Sequence, residues 1–157
     1  MNVAILSDTH GLLRPEVLEH LKTADAIFHG GDINKQRIVD ELGTYAPLYI
    51  VRGNNDKEWA ENIPHDLTVT LEGVTFYMVH NRKEVPADLS GIDVVVFGHT
   101  HKYLLEEKDG LLWLNPGSCG PRRFHQEITM MTAVVERGAI RVEKITIPHE
   151  AAAWNSD

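Results

Sequence analysis

Val3-Ala4-Ile5-Leu6-Ser7-Asp8-Thr9-His10 opens the chain with a buried-strand signature that runs straight into an acid and an imidazole. Four other places repeat the pattern of an apolar run followed by a polar cluster: Gly30-Gly31-Asp32, Gly53-Asn54-Asn55-Asp56, His80-Asn81 and Gly98-His99-Thr100-His101. Strand ends in an open α/β sheet share one edge, so clusters distant in sequence can meet there. Together they offer the carboxylates of Asp8 and Asp32, the amide oxygen of Asn54 and the imidazoles of His10, His80, His99 and His101. Hard oxygens mixed with imidazole nitrogens suit two divalent cations.

Working outward, Val3–Ser7 reads as a buried strand and Arg14-Pro15-Glu16 starts a short helix through Lys22, with proline tolerated in the first turn. Ala26–His29 is a second strand. Asn34 is placed to cap a helix to about Leu42, which Gly43 ends, and Pro47–Val51 is a third strand. Such β-α-β-α-β steps imply parallel strands with right-handed crossovers. After Trp59 the character changes. Leu67–Leu71 and Val74–Val79 flank Glu72-Gly73, Tyr103–Glu106 and Leu111–Leu114 flank Lys108-Asp109-Gly110, and Met130–Glu136 and Ala139–Ile147 flank Arg137-Gly138. These read as three hairpins, with Val94–Phe97 a further buried strand and the pairing mostly antiparallel. The tail after Pro148 is expected to be loose at its end.

With 157 residues, 43% hydrophobic and 24% charged, the chain fits one soluble globular domain. A formal charge of −8 argues against an extended nucleic-acid surface. It leaves room for a compact phosphate site built by metals, which bring their own charge. Cys119 is the single cysteine, so no internal disulfide forms, in keeping with a reducing cytoplasm. No secretory leader and no apolar run of roughly 20 residues is present, so neither export nor a membrane span is expected.

Each cluster has a plainer reading when taken alone. Asp8 can cap a loop, and Gly30-Gly31-Asp32 is ordinary turn chemistry. Asp-x-His at a strand end would put both side chains on one face, within reach of one ion. Two histidines at i and i+2 in Gly98-His99-Thr100-His101 are the most specific signal, because histidine has no advantage in a turn. The order of all five, each after an apolar run, outweighs the plain readings.

In that order and spacing the clusters resemble the calcineurin-like metallophosphoesterase superfamily, whose pattern is Asp-x-His, Gly-Asp, Gly-Asn-His-Asp or -Glu, His and Gly-His-x-His. The resemblance runs over residues 1–157 as a single domain. Its small size and Asn115-Pro116-Gly117-Ser118 followed by Pro121-Arg122 look like the compact bacterial and archaeal phosphodiesterase branch, related also to the eukaryotic retromer scaffold subunit. The resemblance implies an α/β (α+β) fold, a four-layer α-β-β-α sandwich of two mixed β-sheets. It implies a first metal held by Asp8, His10, Asp32 and His101, and a second by Asp32, Asn54, His80 and His99, with Asp32 bridging. Such a pair of ions, roughly 3.5–4 Å apart, holds a hydroxide that attacks phosphorus. Manganese is the expected ion, with iron, nickel and zinc also suited by these ligands. Self-association to a homodimer or homotetramer follows from the same likeness.

The departure is Asn55, which stands where the superfamily carries a protonating histidine beside an acid, here Asp56. An amide donates a hydrogen bond but delivers no proton near neutral pH, help that is typically worth about 10²–10⁴-fold. Asn55 and Asp56 are still expected at the leaving oxygen. The substitution favours small phosphodiesters with good leaving groups. Arg122 is a candidate for gripping the substrate phosphate bidentately and His125 a candidate proton donor. His29 reads as a core or supporting residue, Cys119 as no nucleophile, and His20, His65 and His149 as surface or core. The competing readings are a non-catalytic scaffold on the same fold and a phosphomonoesterase such as a protein phosphatase.

Overall fold

The computed structural model describes residues 1–123 and 126–148. Its elements are β1 (Asn2–Leu6), α1 (Pro15–Leu21), β2 (Ala26–His29), α2 (Gln36–Gly43), β3 (Leu48–Ile50), β4 (Asp66–Leu71), β5 (Val74–Val79), β6 (Val94–Val96), β7 (Leu104–Lys108), β8 (Leu111–Asn115), β9 (Ile128–Glu136) and β10 (Ala139–Ile147), with 3₁₀ turns at Glu58–Ala60 and Arg82–Glu84. Two five-stranded mixed sheets form, ordered β10-β9-β1-β2-β3 and β4-β5-β6-β8-β7.

The period of two along each strand decides how the sheets stack. Val3 and Ile5 of β1 face the second sheet, where they pack with Phe28, Phe76, Met78, Val96 and Leu114. Ala4 and Leu6 face the other way, onto Val17 and Leu21 of α1 and Ile38 and Leu42 of α2. Both helices lie on this one face, because each connects parallel neighbours (β1 to β2, β2 to β3) by a crossover of the same hand. The outer face of the second sheet buries Tyr77, Val79, Val95, Phe97 and Trp113 beneath Val85, Leu89 and Ile92. That fourth layer is a 3₁₀ turn and loop and not the α-helix expected for a four-layer sandwich. Pro86 forces Val85 into an extended conformation, with φ −66° and ψ 128°, and so ends the turn.

Three expectations change. The second half is less antiparallel than its hairpins suggested, because β5–β6 and β6–β8 pair in parallel. Asn34 does not cap α2; its φ is 76°, and Lys35 occupies the N-cap without a side-chain bond. Gly43 belongs to α2, and Thr44 ends the helix. The hairpins themselves form where Glu72-Gly73, Asp109-Gly110 and Arg137-Gly138 each place two consecutive residues at positive φ, the signature of a type I′ turn. No helix among the described residues is long and apolar enough to cross a membrane.

Candidate metal centre

The carboxyl ends of β1, β2, β3, β5 and β6 converge, and the polar clusters follow them. Asp8, His10, Asp32, His99 and His101 all adopt positive φ, between 45° and 75°. Non-glycine residues pay of order 1 kcal/mol or more for that conformation, and such strain gathers at functional sites. It also corrects the alternation argument for Asp-x-His. Asp8 and His10 have already left the strand, and it is their left-handed loop that aims both side chains inward.

Asp8 is fully buried. Its Oδ2 accepts hydrogen bonds from Ser7 Oγ at 2.7 Å and from the His99 amide at 3.1 Å. Its Oδ1 has no hydrogen-bond partner, yet lies 3.4 Å from His101 Nε2, 3.8 Å from His10 Nε2 and 3.9 Å from His80 Nε2. Asp32 Oδ1 accepts from the Asn55 amide at 2.9 Å, and its Oδ2 faces His80 Nε2 at 3.3 Å and His10 Nε2 at 3.7 Å. Around these two carboxylates the imidazoles stand in pairs, His10 with His101 and His80 with His99, each pair 5.2 Å between ring centres. His10 Nε2 and His101 Nε2 point at each other across 3.3 Å.

Hydrogen bonds set the tautomers. His80 Nδ1 is 2.7 Å from the Gly30 carbonyl, so Nδ1–H donates and the neutral ring presents the Nε2 lone pair to the centre. Nε2 lies 3.3 Å from Asp32 Oδ2 without an aligned hydrogen bond between them. Burial alone would lower the His80 pKa, but the carboxylates of Asp32 and Asp8 outweigh it and raise it. Burial would likewise raise Asp32, but His80, the Asn55 amide and His10 outweigh it and pull its carboxyl down to about 2. Asp32 is therefore an anion at any working pH. His10 is lowered by burial, against the pull of Asp32 and Asp8.

The donor set fits divalent ions. Asp8 Oδ1 and His80 Nε2 are buried without hydrogen-bond partners, and each such atom costs about 1–3 kcal/mol if nothing satisfies it. A cation would satisfy both, and the ligand atoms of Asp8, His10 and His101, and again of Asp8, Asp32 and His80, lie within 4.8 Å of one another. Asp8 is the carboxylate common to these two groups, whereas the resemblance had Asp32 alone between the metals. Asn54 and His99 are exposed at the rim and joined to each other, Asn54 Oδ1 to His99 Nδ1 at 3.2 Å.

The remaining expected residues divide. Asn55 is not aimed outward at a leaving oxygen; its amide nitrogen Nδ2 donates to Asp32 Oδ2 at 3.2 Å and so helps hold that carboxylate. Asp56 is buried, and its carboxylate accepts the amides of Ile33, Asn34 and Gly53 at 2.8–3.1 Å and ties two loops together. Arg122 directs Nε to the Gln126 carbonyl at 3.2 Å. The charge of the next residue, Arg123, helps to lower the His10 pKa. His125 and His149 lie outside the described residues.

Supporting groups complete the frame. His29 is fully buried. Its Nδ1 accepts from the Gly31 amide at 3.0 Å, so Nε2–H donates to Thr9 Oγ1 at 3.0 Å, joining the loops of Asp8 and Asp32. Burial lowers its pKa to about 4 and keeps it neutral. Asn115 donates to the Gly98 carbonyl at 3.1 Å, and Ser118 Oγ donates to the Asp8 carbonyl at 2.9 Å, so the turn between them braces both ligand loops. Cys119 is fully buried, and burial pushes its thiol up to about 12, which removes it as a nucleophile.

The sequence profile of the calcineurin-like phosphoesterase superfamily domain matches residues 1–138. A phosphodiesterase from Methanocaldococcus jannaschii is 31% identical over 141 residues, covering 76% of this chain and 84% of that protein. Among solved structures, a novel archaeal phosphodiesterase superposes with a TM-score of 0.73 at 27% identity, over 94% of this chain and all of its own. Wild-type Vps29 from Entamoeba histolytica, solved as a zinc complex, superposes with a TM-score of 0.72 at 21% identity, over 93% of this chain and 99% of its own, a likeness of fold.

Proposed function

The chain belongs to the calcineurin-like phosphoesterase superfamily, and from that premise we propose that it is a dinuclear metal-dependent phosphodiesterase. The observation that carries the reading is the unsatisfied pair at its centre, Asp8 Oδ1 and His80 Nε2, ringed by three further imidazoles and the Asp32 carboxylate. Asp8, His10, Asp32 and His101 would hold one ion, and Asp32, Asn54, His80 and His99 the other, with Asp8 close to both. Bound there, divalent ions would supply a hydroxide nucleophile at neutral pH and neutralise charge on the phosphoryl oxygens.

The chain's own residues do the positioning. Gly30 fixes the His80 tautomer, Asn55 orients Asp32 through its backbone and side-chain amides, and Ser7 with the His99 amide orients Asp8. With its amide committed to Asp32, Asn55 delivers no proton, so any proton for the leaving group has to come from another residue. The phosphodiesterase from M. jannaschii supports diesters as the substrate class. The proposal extends to manganese as the working ion, a small diester as substrate, a cytoplasmic location, and association into a homodimer or homotetramer.

The test is a panel of diesters and monoesters after reconstitution with manganese, iron, nickel or zinc. Bis(4-nitrophenyl) phosphate is expected to exceed 4-nitrophenyl phosphate in kcat/KM; both release 4-nitrophenolate, so the ratio reads the diester preference free of any difference in leaving group. Preference for the monoester would make the protein a phosphomonoesterase. Absence of hydrolysis with every metal would favour the scaffold reading.

A further inference from the structure

Beside the metal centre, Arg52, Asn54, His65, His80 and Glu84 line a cleft of about 130 Å³. Asn54 and His80 belong to the centre, so the cleft opens onto the reacting region. The fold puts His65 there by register. The β4–β5 ladder ends with Asp66 opposite Val79, and the next residues outward are His65 and His80. The 3₁₀ turn Arg82–Glu84 then returns Glu84 to the same wall, where its Oε1 lies 3.0 Å from His65 Nε2. Both side chains are about half exposed, 56% and 50%. An ion pair so exposed adds little to stability, typically below about 1 kcal/mol. Its place on the cleft is therefore the feature that needs an account.

Among the described residues, neither Asn55 nor Asp56 offers the leaving group a proton. Asn55 is an amide tied to Asp32, and the Asp56 carboxylate is filled by backbone amides. Imidazole is the side chain suited to give a proton near neutral pH, and a carboxylate on one ring nitrogen orients the other. With Nε2 turned to Glu84, Nδ1 of His65 has no hydrogen-bond partner among the described residues.

Resting on the diesterase reading above, we propose that this cleft receives the leaving group of the substrate and that His65, held by Glu84, protonates the departing oxygen. The new bond forms between the hydroxide oxygen and phosphorus. The bond from phosphorus to the leaving oxygen breaks, and its electron pair stays on that oxygen, which takes the proton from His65 Nδ1. His65 recovers a proton from solvent, balancing the one that water released on becoming hydroxide. The Nε2 proton remains on the Glu84 side throughout. His65 thus fills the role that Asn55 leaves open, from the bend just before β4.

The experiment uses the full chain loaded with manganese and a series of aryl methyl phosphodiesters from 4-nitrophenyl to phenyl. Wild type should depend weakly on the leaving group. His65→Gln should lose about 10²-fold with the phenyl ester and little with the 4-nitrophenyl ester, and Glu84→Gln should steepen the dependence in the same sense. A uniform loss across the series, or none, overturns the proposal, since a structural role would not change the slope. A readout free of turnover is the histidine NMR spectrum of the zinc-loaded chain titrated with benzylphosphonate, whose carbon replaces the departing oxygen. His65 resonances should move. Movement of His99 without His65 overturns the proposal. Wild type inert towards the 4-nitrophenyl diester with every metal overturns the diesterase reading first, and this proposal with it.

Discussion

Asp32→Asn should lower diester hydrolysis by at least about 10³-fold, the upper end of what one preorganised electrostatic group contributes, while the fold persists. The native carboxylate is held as an anion, with a pKa pulled to about 2, and it faces His80 and His10 at 3.3 and 3.7 Å. An amide keeps the shape and a carbonyl oxygen for the Asn55 backbone, but loses the charge that balances the cations. Metal content should fall with activity, and far-ultraviolet circular dichroism should not change. His80→Ala should be milder in metal loss, because Asp8, His10 and His101 form a separate group. Asp32→Asn protein that kept more than a tenth of the wild-type rate would contradict the role given to this carboxylate.

Gly53→Ala should be the most damaging small substitution at a residue that binds nothing through a side chain. A Cβ at position 53 would collide with the backbone nitrogen and Oδ1 of Asp32, and would come within 2.9 Å of its Cγ. The backbone cannot swing aside cheaply, because the Gly53 amide is bonded to Asp56 Oδ2 at 2.9 Å. Overpacking of this kind costs about 1–3 kcal/mol, and a displacement of about 1 Å in a reacting group costs about 10²-fold in rate. Denaturant unfolding and kcat/KM should record both losses. Gly43→Ala is the control: its Cβ meets nothing within 4 Å in α2, and both stability and rate should hold or improve. Equal behaviour of the two variants would show that Asp32 is not confined as described.

Much of the architecture is legible in the sequence because local chemistry and global fold agree. Val3 to Leu6 alternate between two cores, and Glu72-Gly73, Asp109-Gly110 and Arg137-Gly138 each carry the glycine that a type I′ turn rewards. The candidate ligand set is legible because histidine has no reason to follow an apolar strand in pairs. The parallel pairing of β5, β6 and β8 is not legible, since no helix links β5 to β6 and a 3₁₀ turn replaces the usual crossover. Nor is the task of Asp56, whose amide partners come from residues 33, 34 and 53. The same holds for the meeting of His65 with Glu84, which depends on where the β4–β5 ladder stops.

The central claim is a two-ion centre, and elemental analysis of the full chain after manganese reconstitution and desalting tests it most directly. The account predicts about two ions per chain, with hydrolysis lost on chelation and restored on adding metal. One ion per chain at full activity would contradict it.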